Sequence, residues 1–425
     1  MRKAVSILFA AVAVTACSKE SPMSKLPHLD AIKANLAFDC TYEAARLPPL
    51  DPQADQLFKY ARYLQIKNGP KNFDDMARYY RIAAAYGHYK ANNNVQLLVS
   101  QGWASSPDRQ KEVVDLASQL IDLGIPSGYN DIGIYLDAGY GLKQDKEMAS
   151  RFFRKAADLG NPDAQYKVAD LLSSLSEAPD VARQMRRCAM EQGYGKAASS
   201  LGMDFQIEKR YPEAVQAFQR GMQAGDRQSA SFLSNAFKGY SSTDELYYLA
   251  VPNDPERTRR YELILEFIRN NENRNPKVPD IDQIVPLPPA KLPPWDGTFQ
   301  WQKEQDATPP PAKPSDELIE RMSKAKNLDP ATGLPIPPPP KTALGTRVKT
   351  GERCPESGDY CAWLMPHYRV SYFQRPFRKG DTMPTYAKYV PRKLGVLGDM
   401  FDDWFGMRYE DVAVDWELVR HADAV

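Results

Sequence analysis

Residues 153–160 read Phe-Arg-Lys-Ala-Ala-Asp-Leu-Gly, and this phrase decides the fold because related phrases recur along the chain. Each copy closes at a glycine, and the closing glycines are Gly87, Gly124, Gly160, Gly193 and Gly225. They stand 37, 36, 33 and 32 residues apart. A period in the thirties, with small residues at fixed positions, is typical of stacked pairs of helices. The sequence therefore predicts a solenoid in which each pair covers the apolar side of its neighbour.

The residues around this phrase specify where the helices begin and end. Asp145 can cap a helix whose apolar residues recur at three- and four-residue steps as far as Leu159. Gly160 can end that helix in the left-handed conformation, and Pro162 suits the first turn of the next helix. Upstream, residues 139–142 (Gly-Tyr-Gly-Leu) supply a turn between the two helices of a hairpin. We interpret the repeated glycines and alanines as structural.

A family resemblance rests on these same residues. Two stretches resemble the Sel-like repeat, a relative of the tetratricopeptide repeat. They are the turn Gly139-x-Gly141-Leu142-x-x-Asp145 and the end of the following helix at residues 153–160. The resemblance implies a mainly α protein, a right-handed α-solenoid of Sel-like helical hairpins. It also implies a role in contacts with other proteins.

Composition divides the chain into five predicted segments. They are a lipoprotein signal peptide (1–16), an N-terminal tether and lead-in (17–50), the solenoid (51–272), a Pro-rich strap (273–342) and a small β-rich C-terminal module (343–425). Residues 276–340 contain 17 of the 35 prolines, which favours extended chain over helix or sheet. Because Trp295, Phe299 and Trp301 are too apolar for a solvated spacer, we predict a strap that packs along the solenoid. A loose tether is the alternative.

The N-terminus predicts export and lipid attachment. A charged start precedes an apolar run, residues 4–16, which has the length of a signal-peptide core and is too short to span a bilayer. The run ends at Val14-Thr15-Ala16-Cys17, which is similar to a bacterial lipobox; an ordinary secretory signal is the alternative. The resemblance implies cleavage before Cys17, diacylglyceryl on its thiol and, with Ser18 following, an outer-membrane destination. We therefore expect a periplasmic protein held to the membrane by its lipid.

The charge balance argues against nucleic acid as a partner. Loss of Arg2 and Lys3 with the signal peptide lowers the 55 basic residues to 53, against 54 acidic residues. Nucleic-acid-binding proteins usually carry a basic excess. We expect no nucleic-acid binding.

Four cysteines remain beyond Cys17. An exported protein can form disulfides, and Cys354 and Cys361 flank a turn-like Pro-Glu-Ser-Gly. A local bridge between these two is one interpretation, and two free thiols are the other. Cys188 lies on the predicted buried face of a helix, where a small apolar thiol is expected. No pairing is predicted for Cys40.

The sequence carries no motif typical of catalysis or metal binding. The histidines, which are His28, His88, His367 and His421, form no metal-binding pattern with the cysteines. His88 and Lys90 approach a phospholipase HxKxxxxD signature, but Val95 stands in place of the acid. His88 also follows a closing glycine, so we assign it to the turn between helices. We expect no enzyme activity, no catalytic residue, no cofactor and no metal.

A second resemblance lies outside the repeats. Residues 38–52, 275–282 and 328–335 are similar to a family of Gram-negative lipoproteins, and residues 351–358 with 380–384 are similar to proteins encoded beside type VI secretion toxins. The resemblance implies immunity against toxins delivered into the periplasm, notably lipases and phospholipases. The expected partner is one cognate toxin, whose active or membrane-docking face would be occluded.

Two other functions remain open, and the candidate contacts are tyrosines. One alternative is a cell-envelope scaffold for signalling or polysaccharide assembly. Another is an enzyme like the cysteine-rich Sel-like proteins credited with β-lactam binding, although those carry cysteine pairs in each repeat. Aromatic side chains often dominate interface energetics, so Tyr135, Tyr140, Tyr166 and Tyr194 are candidate partner contacts. Packing between repeats is the other interpretation of these four residues.

Overall fold

The computed structural model describes residues 36–174, 178–242, 246–337, 342–365, 368–390, 407 and 409–422. The predicted signal peptide and Cys17 lie outside these residues, as do His28 and His367. The chain divides into two compact units, residues 1–336 and residues 337–425. Across the described residues, no helix combines the length and the apolar character needed to cross a membrane.

Stacked helical hairpins form the first unit, and each helix packs on the next along the chain. In chain order these helices are α1 (Pro52–Ile66), α2 (Phe73–Ala85), α3 (Tyr89–Ser100), α4 (Arg109–Asp122), α5 (Pro126–Ala138), α6 (Lys146–Asp158), α7 (Pro162–Ser174), α8 (Pro179–Glu191), α9 (Gly195–Ile207), α10 (Tyr211–Gln223), α11 (Arg227–Ala236) and α12 (Pro255–Asn270). We call each helix that ends at a closing glycine an A-helix; these are α2, α4, α6, α8 and α10, and we include α12, which packs on α11. The predicted mainly α fold of stacked hairpins is confirmed.

The helix ends form as the sequence predicts. The five closing glycines all have a positive φ, from 71° to 104°. Asp145 caps α6 by accepting a hydrogen bond from the backbone N–H of Met148 at 2.9 Å. Gly160 also meets the N-terminal segment, because a Cβ there would lie 2.6 Å from the carbonyl carbon of Tyr42. A side chain at position 160 would therefore push that segment away.

Small residues in the helices that lie between A-helices let the aromatic rings of the next A-helix approach. A Cβ on Gly133 in α5 would lie 2.5 Å from the ring of Phe153 in α6. A Cβ on Gly202 in α9 would lie 2.7 Å from the ring of Phe218 in α10. Because interiors are packed as densely as organic crystals, neither site can accept a larger side chain without moving a helix.

The Pro-rich strap packs on the helices and contains short helices of its own, α13 (Ile281–Ile284), α14 (Gln300–Ala307) and α15 (Asp316–Ala325). Phe299 and Trp301 are buried, and the Phe299 ring stacks on Phe267 of α12 with centroids 4.0 Å apart. Ile319 and Met322 of α15 are buried in the same core as α1 to α4. The strap is thus part of the first unit as far as Ile336.

The second unit is a small antiparallel β-structure. Its strands are β1 (Arg347–Lys349), β2 (Gly358–Met365), β3 (Tyr368–Phe377), β4 (Tyr386–Tyr389), β5 (Tyr409–Val412) and β6 (Asp415–His421). Four of them form a sheet in the order β1-β6-β2-β3, while β4 pairs with β5. Ala413 and Val414 separate β5 from β6.

The structure decides between the two interpretations of Cys354 and Cys361, and it corrects the free thiol expected at Cys188. Cys354 and Cys361 are free thiols, and Cys188 is bonded to Cys40 with the two Cα atoms 5.6 Å apart. On β2, Tyr360 points into the same core as Cys354, and its hydroxyl lies 3.4 Å from the Cys354 Sγ. Because side chains alternate along a strand, Cys361 faces the other side of the sheet, away from Cys354.

Candidate partner-binding surface

Extended segments of the chain itself lie against the A-helices. Residues 37–43 contact α6 and α8, residues 276–290 contact α10 and α12, and residues 328–335 lie against α2. These segments satisfy their backbone groups with side chains of the helices. These segments therefore already occupy part of the A-helix surface that a partner would contact.

The N-terminal segment is held by a covalent bond and by backbone contacts. Cys40 is bonded to Cys188 of α8, and the Ala37 carbonyl accepts a hydrogen bond from Arg154 of α6 at 2.6 Å. The backbone N–H of Glu43 donates to the Gly160 carbonyl at 3.1 Å. This segment therefore ties two consecutive hairpins together.

Buried arginines hold the strap. Arg81 of α2 donates to the Thr332 carbonyl at 3.1 Å, and Arg260 of α12 donates to the Ile284 carbonyl at 2.7 Å. Arg257 donates to two further strap carbonyls. Prolines remove backbone donors but keep carbonyl acceptors, and a buried acceptor needs a donor. The guanidinium groups supply the donors that a proline-rich strap lacks.

The four candidate tyrosines are half-buried and contact neighbouring repeats. Tyr135 and Tyr140 lie with ring centroids 5.9 Å apart, and the Tyr135 hydroxyl donates to Gln96 Oε1 at 2.7 Å. The rings of Tyr166 and Tyr194 lie 5.5 Å apart. Burial raises the pKa of the Tyr135 and Tyr194 hydroxyls well above their ordinary range. All four thus contribute to packing, and a partner contact through them stays a prediction.

Three carboxyl groups lie close together between the repeats. Asp131 of α5 is half-buried near Asp163 and Glu43, and it accepts a hydrogen bond from Gln96 Nε2 at 3.2 Å. Burial raises the pKa of Asp131 to about 7, and the nearby Asp163 and Glu43 charges act in the same direction. Burial also raises the pKa of Glu43. Ionisation of Asp131 and of Glu43 therefore opposes folding.

We expect the substitution Asp131→Asn to stabilise the protein at pH 8. The pKa of Asp131 in the folded chain lies above its ordinary 3.8, so stability is highest below about pH 4 and declines as the pH rises through about 7. The amide removes that decline while it keeps an oxygen for Gln96, for a gain of about 1 to 3 kcal/mol at pH 8. Urea unfolding at pH 4.5 and pH 8 measures the difference. The exposed Asp137→Asn on the same helix is the control, and a loss of stability at pH 8 in Asp131→Asn contradicts the prediction.

An exposed apolar patch lies where α9 ends. Ile207 is 81% exposed and Leu246 is 63% exposed. Gln206 Nε2 donates to the Leu246 carbonyl at 3.1 Å, which brings the loop after α11 beside Ile207. Tyr240 is also exposed on this loop. Sequence reasoning missed the patch because the sequence from residue 237 to residue 254 follows no repeat and carries no periodic pattern.

The described residues offer no metal site, and His88 has a structural role. Within the described ranges, no group of three or more His, Cys, Asp and Glu residues could hold a metal ion. His88 caps α3: its Nδ1 accepts the Ala91 N–H at 3.1 Å, and its ring stacks on Phe58 with centroids 4.4 Å apart. Burial lowers the pKa of His88. The assignment of His88 to the turn is confirmed.

The chain is similar to one family model and to several solved structures. Residues 229–336 match a family described as a domain of unknown function, DUF6396. A solved structure of Pseudomonas aeruginosa 5086 (PA5086) is 29% identical, with a TM-score of 0.50, and the match covers 59% of this chain and 95% of that one. The structure described as immunity protein PA5088 from Pseudomonas aeruginosa is 28% identical, with a TM-score of 0.50, covering 59% of this chain and 94% of that one. For immunity protein Pa5087 from the same organism the values are 29% identity, a TM-score of 0.50, and 60% and 95% coverage. None of the curated proteins compared with the chain is significantly similar to it.

Proposed function

We propose that this chain is an immunity protein that binds and neutralises a secreted antibacterial toxin in the periplasm. The observation that carries the proposal is the similarity to solved structures described as immunity proteins, at 28% and 29% identity over 94% and 95% of their length. The proposed toxin class is a lipase or phospholipase delivered by type VI secretion. Binding would occlude the active or membrane-docking face of that toxin.

The disulfide supports a location outside the cytoplasm. Cys40 and Cys188 are bonded across 148 residues of chain. Disulfides persist in oxidising compartments such as the periplasm and are rare in the bacterial cytosol. The proposed lipid on Cys17 would keep the protein at the membrane surface, where a toxin that attacks lipids acts.

A stack of hairpins locked by its own segments suits inhibition by occlusion. Arginine contacts to the strap and the disulfide to the N-terminal segment fix the surface before a partner arrives. A rigid surface loses little conformational entropy on binding, which favours high affinity. Inhibition of this kind needs shape and charge and no catalytic residue.

The full chain should protect a susceptible strain against the periplasm-directed toxin encoded beside its gene. A variant that lacks residues 2–16 should not protect, because without the signal peptide it stays in the cytoplasm. Colony counts after toxin induction measure survival, and co-purification of the toxin with the full chain measures binding. Cys17→Ser isolates the contribution of the lipid.

Two outcomes would contradict the proposal. One is equal survival with and without the full chain for every toxin encoded in its neighbourhood. The other is protection by the variant that lacks residues 2–16, which would place the encounter in the cytoplasm. Co-purification of several host envelope proteins and no toxin would instead favour a scaffold.

A further inference from the structure

A basic groove runs between α1 and the strap in the first unit. One wall is α1, with Arg62 and Tyr63, and the opposite wall is the run of strap residues 308–311. The cavity between them has a volume of about 710 Å³. We call it the α1 groove. Its cationic lining residues are Lys59, Arg62, Lys67 and Arg274.

The charged side chains that line the α1 groove are all positive among the described residues. Four of its lining side chains are cationic, and none of the described residues that line it is acidic. The whole chain is nearly neutral, with 55 basic and 54 acidic residues, so this separation is local. By contrast, the groove beside α4 mixes Lys111 with Asp108 and Asp115. Electrostatic complementarity of this kind selects partners and speeds their encounter.

Most of these cations keep their charge available. Among the described residues, Arg62, Lys67 and Arg274 have no carboxylate within salt-bridge distance, whereas Lys59 pairs with Asp55 at 2.6 Å. Arg274 lies over the Trp301 ring at 5.3 Å, and Arg62 donates to Gln65 Oε1 at 3.0 Å. These neutral contacts orient the guanidinium groups without cancelling their charge.

The walls of the α1 groove fit an extended chain. Pro309, Pro310 and Pro311 hold one wall in a restricted backbone conformation, and Phe58 and Tyr63 offer aromatic surface on the other. A cavity of this size admits a few residues of extended polypeptide, with side chains that alternate between the aromatic wall and the cations. Carboxylates on such a segment match the planar, multiply donating guanidinium group.

We propose that the α1 groove binds an acidic, extended segment of the partner protein. The inference rests on the proposed function for the identity of that partner, which is the toxin. The groove contributes the charge-selective contact, and the rest of the surface contributes shape.

The test uses the full chain and a fluorescein-labelled deca-glutamate peptide in an anisotropy titration. We expect binding that weakens as salt is raised, and no binding of a deca-lysine peptide. The double variant Arg62→Glu/Lys67→Glu should bind at least tenfold more weakly. Asn68→Glu adds a carboxylate at an exposed position without removing an ion pair, and it should also weaken binding. The control Lys143→Glu/Lys155→Glu makes the same charge change at exposed positions on other elements and should bind as the unsubstituted protein does.

The same variants are then titrated with the cognate toxin and with vesicles of phosphatidylglycerol and phosphatidylcholine. The inference predicts at least tenfold weaker toxin binding for the groove variants, with the apparent Tm unchanged. It is overturned if deca-glutamate binds groove and control variants equally, or fails to bind the unsubstituted protein. It is also overturned if the groove variants no longer bind the vesicles but still bind the toxin, because the groove would then be a membrane-binding site. If the chain neither binds a toxin nor protects against one, the proposed function is wrong. The peptide titration still tests separately whether the α1 groove binds an acidic segment.

Discussion

Removal of the Cys40–Cys188 disulfide should lower the free energy of unfolding by about 3 to 5 kcal/mol. The bond closes a loop of 148 residues, so the unfolded chain gains much freedom when it is broken. The folded chain also loses its covalent hold on residues 37–43, although the contacts of Arg154 and Gly160 to that segment remain. The midpoint of urea unfolding, measured without reductant for Cys40→Ser/Cys188→Ser and for the unsubstituted protein, gives the difference.

Reductant provides the matched control for this experiment. The unsubstituted protein in dithiothreitol should unfold at the midpoint of the double variant, and the double variant should not respond to dithiothreitol. The free thiols of Cys354 and Cys361 are present in both proteins and cancel in the comparison. Equal midpoints with and without reductant for the unsubstituted protein would show that the bond does not constrain the unfolded chain.

Local features of the fold could be predicted from the sequence because their signals are local. Asp145 and Gly160 mark the two ends of α6, since capping and positive-φ residues act within one helical turn. The closing glycines then repeat the signal once in each hairpin. Periodic and nearby interactions leave marks that a single sequence shows.

Contacts between distant parts of the chain left no such mark. Cys40 and Cys188 are 148 residues apart, and Arg81 meets the Thr332 carbonyl 251 residues away. Sequence spacing suggested Cys354 with Cys361 instead, and strand alternation places those two on opposite sides of a sheet. Carbonyl acceptors are the same in every residue, so the sequence does not reveal which ones need a buried arginine.

The candidate surface was predictable only in part for the same reason. Tyr135 and Tyr194 are conspicuous in the sequence, but their hydroxyls bond to Gln96 and Asp163 in adjacent repeats. The α1 groove combines a helix at the start of the solenoid with strap residues more than two hundred positions later. Only the packing of the strap brings those two walls together.

The substitution Arg257→Met should destabilise the protein by about 3 to 5 kcal/mol. Arg257 is 4% exposed, donates to the carbonyls of Pro286 and Ala290, and pairs with Asp254 at 3.0 Å. Methionine fills a similar volume but leaves two strap carbonyls without their guanidinium donor and removes the ion pair with Asp254, which still accepts the backbone N–H of residue 257 at 3.0 Å. A hydrogen bond to a charged donor contributes about 1.5 to 3 kcal/mol, so the loss of two of them should separate the strap from α12 before the hairpins unfold.

Arg259→Met is the matched control because it makes the same change on the same helix. Arg259 is 55% exposed and pairs with Glu256 at 2.8 Å, and an exposed pair of this kind contributes less than about 1 kcal/mol. Urea unfolding compares the two variants, and limited proteolysis reports whether cleavage within residues 286–290 becomes faster in Arg257→Met alone. If both variants unfold at the same urea concentration and resist protease equally, the buried guanidinium does not hold the strap. If Arg257→Met alone is cleaved, the arginine donors hold the strap on the helices. The strap is rich in proline and cannot pair its own backbone, so these donors make it part of the folded surface that a partner meets.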